Sequence, residues 1–201
     1  MMAGAELVTL FGNELDEVGK ARMGGLKVVG SEKVSYRDVC QMLLAMAVAE
    51  LVSSRAATLT EEDVKGRFRS RRALMLRASG DAAGFTGLVA QAAVGGVEVR
   101  DLVLRMLGNQ VASPDSVLVA RAHATLDGTG AVVKAGGMGK KLGAKLGMSS
   151  YEVDDQGAQA LRPEWERLRA TWQGWSSANP ALAKQLLDSC KDAVGRAKSG
   201  E

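Results

Sequence analysis

The stretch TEEDVKGRFRSRRALMLRASG, Thr60 to Gly80, decides how the rest of the chain is read. It opens on three acids, Glu61, Glu62 and Asp63. Lys65, Arg67, Arg69, Arg71, Arg72 and Arg77 then follow with no acid between Val64 and Gly80. Acids in a first turn and arginines in the last turns suit the helix macrodipole. The stretch therefore predicts a helix from Thr60 to near Gly80 with a strongly basic surface.

The flanking segments also carry helical spacing. Upstream, Ser35 with Asp38 three residues later approximates a capping box and opens a helix to about Ser54, apolar nearly all round and so central. Before it, Glu6 to Lys20 predicts an amphipathic helix with Leu7, Phe11, Leu15 and Val18 on one stripe. Residues 21–33 read as irregular, with a short strand at Leu26–Val29. Downstream, Asp81 caps a helix to about Val94, Gly95-Gly96 breaks it, and Val97 to Leu107 forms the next. Ser113-Pro114-Asp115 starts a helix to about Asp127, with Pro114 at its first position. Pro163 opens a helix with Leu161, Trp165, Leu168, Trp172 and Trp175 at heptad-like spacing. Asn179-Pro180 opens the last, with Leu182, Leu186, Leu187, Cys190 and Val194 on one side.

The expected fold class is therefore all-α: a compact helical core, divisible into two small lobes, with amphipathic terminal helices available as exchange arms. The expected organisation is an N-terminal arm and linker over 1–34, a helical core with a basic groove over 35–147, and a C-terminal helical lobe or arm over 148–201.

Composition is compatible with this. The chain has 201 residues, 46% of them apolar, enough for a core at this length. Aromatics are only 4%, so Leu, Val, Met and Ala must build it. Two cysteines far apart, Cys40 and Cys190, do not read as a disulfide framework. The first apolar stretch is interrupted by Glu6, Asn13 and Glu14, so no leader is expected. The longest apolar run, Val39 to Val52, is too short to span a bilayer. A reducing cytoplasm is expected, or a virion and host cytoplasm if the chain is viral.

The net charge of +3 hides a segregation. Residues 1–63 carry six basic and ten acidic side chains, residues 64–151 thirteen and five, and residues 152–201 seven and eight, giving −4, +8 and −1. The positive middle has two centres, the Thr60–Gly80 stretch and a Gly-rich one with Lys134, Lys140, Lys141 and Lys145. That is the footprint of a polyanion binder, against the plainer reading of solvated basic faces.

Tests for other chemistry exclude more than they admit. His123 is the sole histidine, so no His-based triad or metal cluster can be assembled, and neither cofactor nor metal is expected. The run from Lys134 to Lys141 fails the phosphate-loop pattern. Lys134 stands where its first glycine belongs, and Lys141 where Ser or Thr belongs. It also fails the dinucleotide fingerprint, because Leu142 replaces the third glycine. The carboxylates Glu61–Asp63 and Asp154–Asp155 suit capping better than acid–base work. The tryptophan stripe could stack bases, but its heptad spacing and leucine partners fit packing better.

At the Ser113 helix a resemblance enters. The run Ser113-Pro-Asp115-Ser-Val117-Leu118-Val-Ala-Arg121-Ala122 resembles an element in nucleoproteins of segmented negative-strand RNA viruses of the phlebovirus and orthobunyavirus groups. It is also similar to one in coat proteins of flexuous filamentous plant viruses. Arg71-Arg72-Ala73-Leu74-Met75 resembles the paired-arginine helix of the phlebovirus-like proteins. The resemblance implies a helical core with a basic RNA groove, terminal arms docked on neighbouring subunits, and RNA contact by Arg71, Arg72 and Arg121.

Residues and resemblance together lead to one expectation. The chain is read not as an enzyme but as a nucleocapsid or coat-type protein. It would oligomerise into rings or filaments on single-stranded RNA through phosphate contacts, without strong sequence specificity and without a membrane. The expected contacts are Lys65, Arg67, Arg69, Arg71, Arg72, Arg121, Lys134, Lys140, Lys141 and Lys145. The alternative is a helical protein–protein interaction scaffold with no nucleic-acid role.

Overall fold

A computed structural model of the chain describes residues 4–21, 25–65, 70–79, 81–108, 113–134 and 151–199. Its centre is the helix expected there, α2 (Tyr36–Ser53), and most of the other helices pack around it. Ser35 starts it, its Oγ accepting the Asp38 N–H at 3.3 Å. Val39, Cys40, Leu51 and every residue from Met42 to Ala49 are buried, because this helix meets neighbours on all sides.

The all-α expectation is wrong. Of the described residues 61% are helical and 19% lie in strands, forming three antiparallel sheets. The principal error is the Thr60–Gly80 helix. That stretch is the greater part of a β-hairpin, β3 (Ala57–Lys65) against β4 (Ser70–Ala78), paired from Ala57 with Ala78 to Lys65 with Ser70. The reason lies in the side chains. Wound as a helix, Val64, Phe68, Arg71, Arg72 and Met75 would share one stripe, and Asp63, Arg67, Ser70 and Leu74 another. Neither stripe can be buried. Extended, the same sequence puts Leu74 and Leu76 on one face with Ala57 and Leu59, and that face packs into the core. Burial of an apolar pair outweighs the small gain from dipole-matched charges.

Two smaller sheets complete the strands. β1 (Leu26–Lys27) pairs with β2 (Lys33–Val34), so the short strand expected near Leu26 is present. β5 (Val97–Glu98) adds to β4, giving the order β3-β4-β5. β6 (Val132–Lys134) pairs with β7 (Tyr151–Val153).

The N-terminal helix is shorter than its spacing predicts. It runs through 3-10 turns around α1 (Val8–Phe11) and ends at Glu14, with Leu15 extended. Every residue from Ala5 to Gly12 is buried. Phe11 stacks on Trp165 at 5.6 Å between ring centroids.

α3 (Gly84–Ala92) starts later than expected and is capped from elsewhere in the chain. Asp81 does not cap it; instead the buried Glu6 accepts the Phe85 N–H at 3.2 Å. Gly84 permits this approach, since a Cβ there would sit 2.5 Å from Glu6 Oε1, and its φ of +62° favours glycine in any case. α4 (Leu102–Leu107) and α5 (Pro114–Thr125) follow. A short α6 (Asp155–Gln159) leads into α7 (Arg162–Ala178) and α8 (Pro180–Ser199). α7 and α8 both lie on α2, and α8 buries Ala183, Leu186, Cys190, Ala193, Val194 and Ala197. The apolar stripes of both terminal segments, which the sequence leaves open to packing on the same subunit or on a neighbour, pack within the same chain. Among the described residues no helix is long and apolar enough to cross a membrane.

Candidate nucleic-acid interface

The β3/β4 hairpin changes character along its length. At its base Ala57, Ala73, Leu74 and Leu76 are buried. Beyond them no residue from Glu61 to Lys65, or from Ser70 to Arg72, is buried. The outer half is therefore a two-stranded ribbon clear of the core. It carries Lys65, Arg71 and Arg72, with Arg67 and Arg69 in the connecting sequence, outside the described residues.

Pairing brings acids onto this ribbon too. Asp63 stands opposite Arg72, and Glu62 opposite Ala73. Arg77 reaches along the ribbon to Glu62, with Nη2 2.7 Å from Oε2, and Nη1 donates to Thr60 Oγ1 at 3.3 Å. These donors hold the Glu62 carboxyl down at about 2. Arg71 is also committed. Its guanidinium grips Glu98 on β5 through two bonds of 2.5 and 2.6 Å, and Arg100 Nε lies 2.7 Å from the same carboxylate. This fork–fork pair fastens β4 to β5. Lys65 and Arg72 remain: both are exposed, both lie on one face of the ribbon, and among the described residues neither has an ion-pair partner.

The other expected contacts are dispersed. Arg121 is half-buried on α5 and donates to the Met106 carbonyl at 3.0 Å, tying α5 to α4. Lys134 closes onto Asp127 at 2.7 Å, at the start of the β6/β7 pair. Lys140, Lys141 and Lys145 lie outside the described residues. The ten expected cations do not form one described groove. One group leaves the C-terminal end of α2 on a hairpin; the other follows β6, beyond the C-terminus of α5. Glu98 and Asp127, which neutralise two of them, carry no sequence signal: each is a lone acid near glycines, and only the fold supplies its partner.

Two of the three tryptophans of the stripe are not available to bases, and the third, Trp175, is half-buried beside Trp172. Trp165 and Trp172 are buried, and their indole N–H groups donate to Glu14 at 3.0 Å and Glu17 at 3.2 Å. Arg162 lies over the Phe11 ring at 5.2 Å and also pairs with Glu14. Glu14, which interrupts the first apolar stretch, and Glu17 thus serve as polar partners for α7.

His123 is buried on α5 with its edge against Tyr151, ring centroids 6.0 Å apart. Its Nε2 is buried without a hydrogen-bond partner among the described residues. Burial alone pushes the imidazole down to about 4. Both cysteine thiols are fully buried and pushed upward by desolvation, which leaves them poor nucleophiles. No group of three or more metal-binding side chains occurs among the described residues.

Comparison with protein-family models, with curated proteins and with solved structures finds no match to this chain.

Proposed function

We propose that this chain binds single-stranded RNA through phosphate contacts made by the outer half of the β3/β4 hairpin, without strong sequence specificity. One observation carries the reading: Lys65 and Arg72 are exposed on one face of a ribbon clear of the core, with no ion-pair partner among the described residues, and the connecting sequence adds two more arginines without an acid. A two-stranded ribbon of this kind can lie along a strand and place cations at phosphate spacing, and phosphate contact is what supplies sequence-tolerant affinity. Arg71, also expected to touch RNA, is paired with Glu98 and holds the ribbon to β5.

The test is a titration of labelled homopolymeric RNA with three proteins. The unchanged chain is expected to bind. Lys65→Glu/Arg72→Glu is expected to lose most of that affinity. Lys184→Glu/Lys191→Glu, which makes the same charge change on exposed positions of α8, is expected to keep it. Equal loss in the two variants would reduce the binding to net charge and remove the hairpin from the account.

A further inference from the structure

A second set of unneutralised cations lies away from the hairpin. A recess of about 540 Å³ opens where the first turns of α2 and α5 meet the last turn of α8. Arg37 enters from α2 and Lys198 from α8. Arg37 lies across α8, with Nη2 4.0 Å from the place a Cβ on Gly195 would take, one turn before Lys198. The two cations therefore share a wall. Among the described residues neither has a carboxylate within ion-pair distance.

Apart from Ala21 and Gly25, the remaining lining is polar. Tyr36, Ser113 and Ser116 bring hydroxyl groups, and the Ser113 hydroxyl makes no capping bond to α5. Two helices of 18 and 12 residues start at the rim, and the positive ends of their dipoles add to the two side-chain charges. Two features oppose an anion: the negative end of α8, whose last turn forms one wall, and the Asp115 carboxylate, which is half-buried and accepts the Ser116 N–H at 3.0 Å.

We propose that this recess binds a phosphate monoester. Two positive charges match a dianion, and the hydroxyl donors match its several acceptor oxygens. The volume suits a nucleotide-sized ligand. The phosphate could belong to a free mononucleotide or to the 5′ end of an RNA strand. Asp115 repels it and sets the limit on affinity. This site does not rest on the hairpin reading.

Titration calorimetry of the full chain with AMP, adenosine and inorganic phosphate tests it, with 5′-phosphorylated and 5′-hydroxyl RNA oligonucleotides as further arms. AMP is expected to bind and adenosine to fail. Arg37→Ala/Lys198→Ala should weaken AMP by about tenfold or more, from the loss of charge-assisted bonds. Asp115→Asn should tighten it, and Lys65→Glu/Arg72→Glu should leave it unchanged. Preference for the 5′-phosphorylated over the 5′-hydroxyl strand, kept in Lys65→Glu/Arg72→Glu, identifies a strand end as the source; AMP binding with no such preference identifies a free nucleotide. Failure of every phosphate-bearing probe, or an Arg37→Ala/Lys198→Ala variant that melts normally and binds AMP unchanged, overturns the site. The two cations would then serve only the negative end of α8.

Discussion

Acid should weaken this fold through one residue, and the size of the effect follows from its burial. His123 is 4% exposed, and its imidazole is held at about 4 against 6.5 in an unfolded chain. A base with a depressed folded value takes up its proton in the unfolded state first. Its effect on stability is nil above about pH 7. Stability then falls as the pH drops through 6.5, and the loss levels off below about 4. A shift of about 2.5 units corresponds to about 3 kcal/mol at the plateau. Carboxylates titrate in the same range and in both directions: Glu62, held down by Arg77, also loses stability in acid, whereas Glu6, raised by burial, gains it. The measurement must therefore be a difference. Urea unfolding of the chain and of His123→Leu, at steps from pH 7.5 to 4, isolates the histidine. At pH 7.5 the variant should be equal or more stable, since it removes a buried Nε2 with no partner among the described residues. By pH 4 the gap should have widened by about 3 kcal/mol in its favour. A gap that stays constant with pH would show that His123 is solvated or hydrogen-bonded, and the account of α5 against β7 would fail.

Other consequences follow from single contacts. Gly84→Ala should cost about 2 kcal/mol or more, because its Cβ would come 2.5 Å from Glu6 Oε1 at a φ of +62°; thermal unfolding reads this directly. Glu98→Gln should cost about 2 kcal/mol, leaving Arg71 and Arg100 without their shared carboxylate, while RNA affinity holds or rises as Arg71 is released. A drop in affinity with the fold intact would mean that the bolt, not the free tip, sets binding. Trp165→Phe should destabilise by about 1–3 kcal/mol, through loss of the indole bond to Glu14 beneath the Phe11 stack, with no change in RNA binding.

Much of the scaffold could be read from local chemistry. Ser35 and Asp38 mark the start of α2, Pro114 the start of α5, and the leucine and tryptophan spacing of α7 and α8 gives the faces they bury. In each case the signal sits within one or two turns. The hairpin escapes a local reading because acids followed by arginines imitate a dipole-matched helix. Against a helix stands the pattern itself, since no helical stripe through Val64–Met75 is both apolar and free of charge. The site was legible only as a tendency. A run of arginines announces a basic surface, but Arg71 meets Glu98 27 residues away and Arg77 meets Glu62 across a turn. Which cations stay free is decided by strand register and by β5, and neither is written near the arginines. The same holds for Glu14 and Glu17, whose indole partners lie about 150 residues further along the chain.

The salt dependence of RNA binding tests the central claim most directly. If Lys65 and Arg72, with Arg67 and Arg69 of the connecting sequence, contact the backbone, four contacts give a slope of log affinity against log salt of about −2.8. Affinity then falls about 50-fold between 50 and 200 mM salt. In Lys65→Glu/Arg72→Glu at least two contacts are gone, so the slope should shrink to about −1.4 or less, a loss of about sevenfold over the same range. A slope left unchanged by the double variant, or no RNA binding at the lowest salt, would contradict the hairpin as the RNA-binding element.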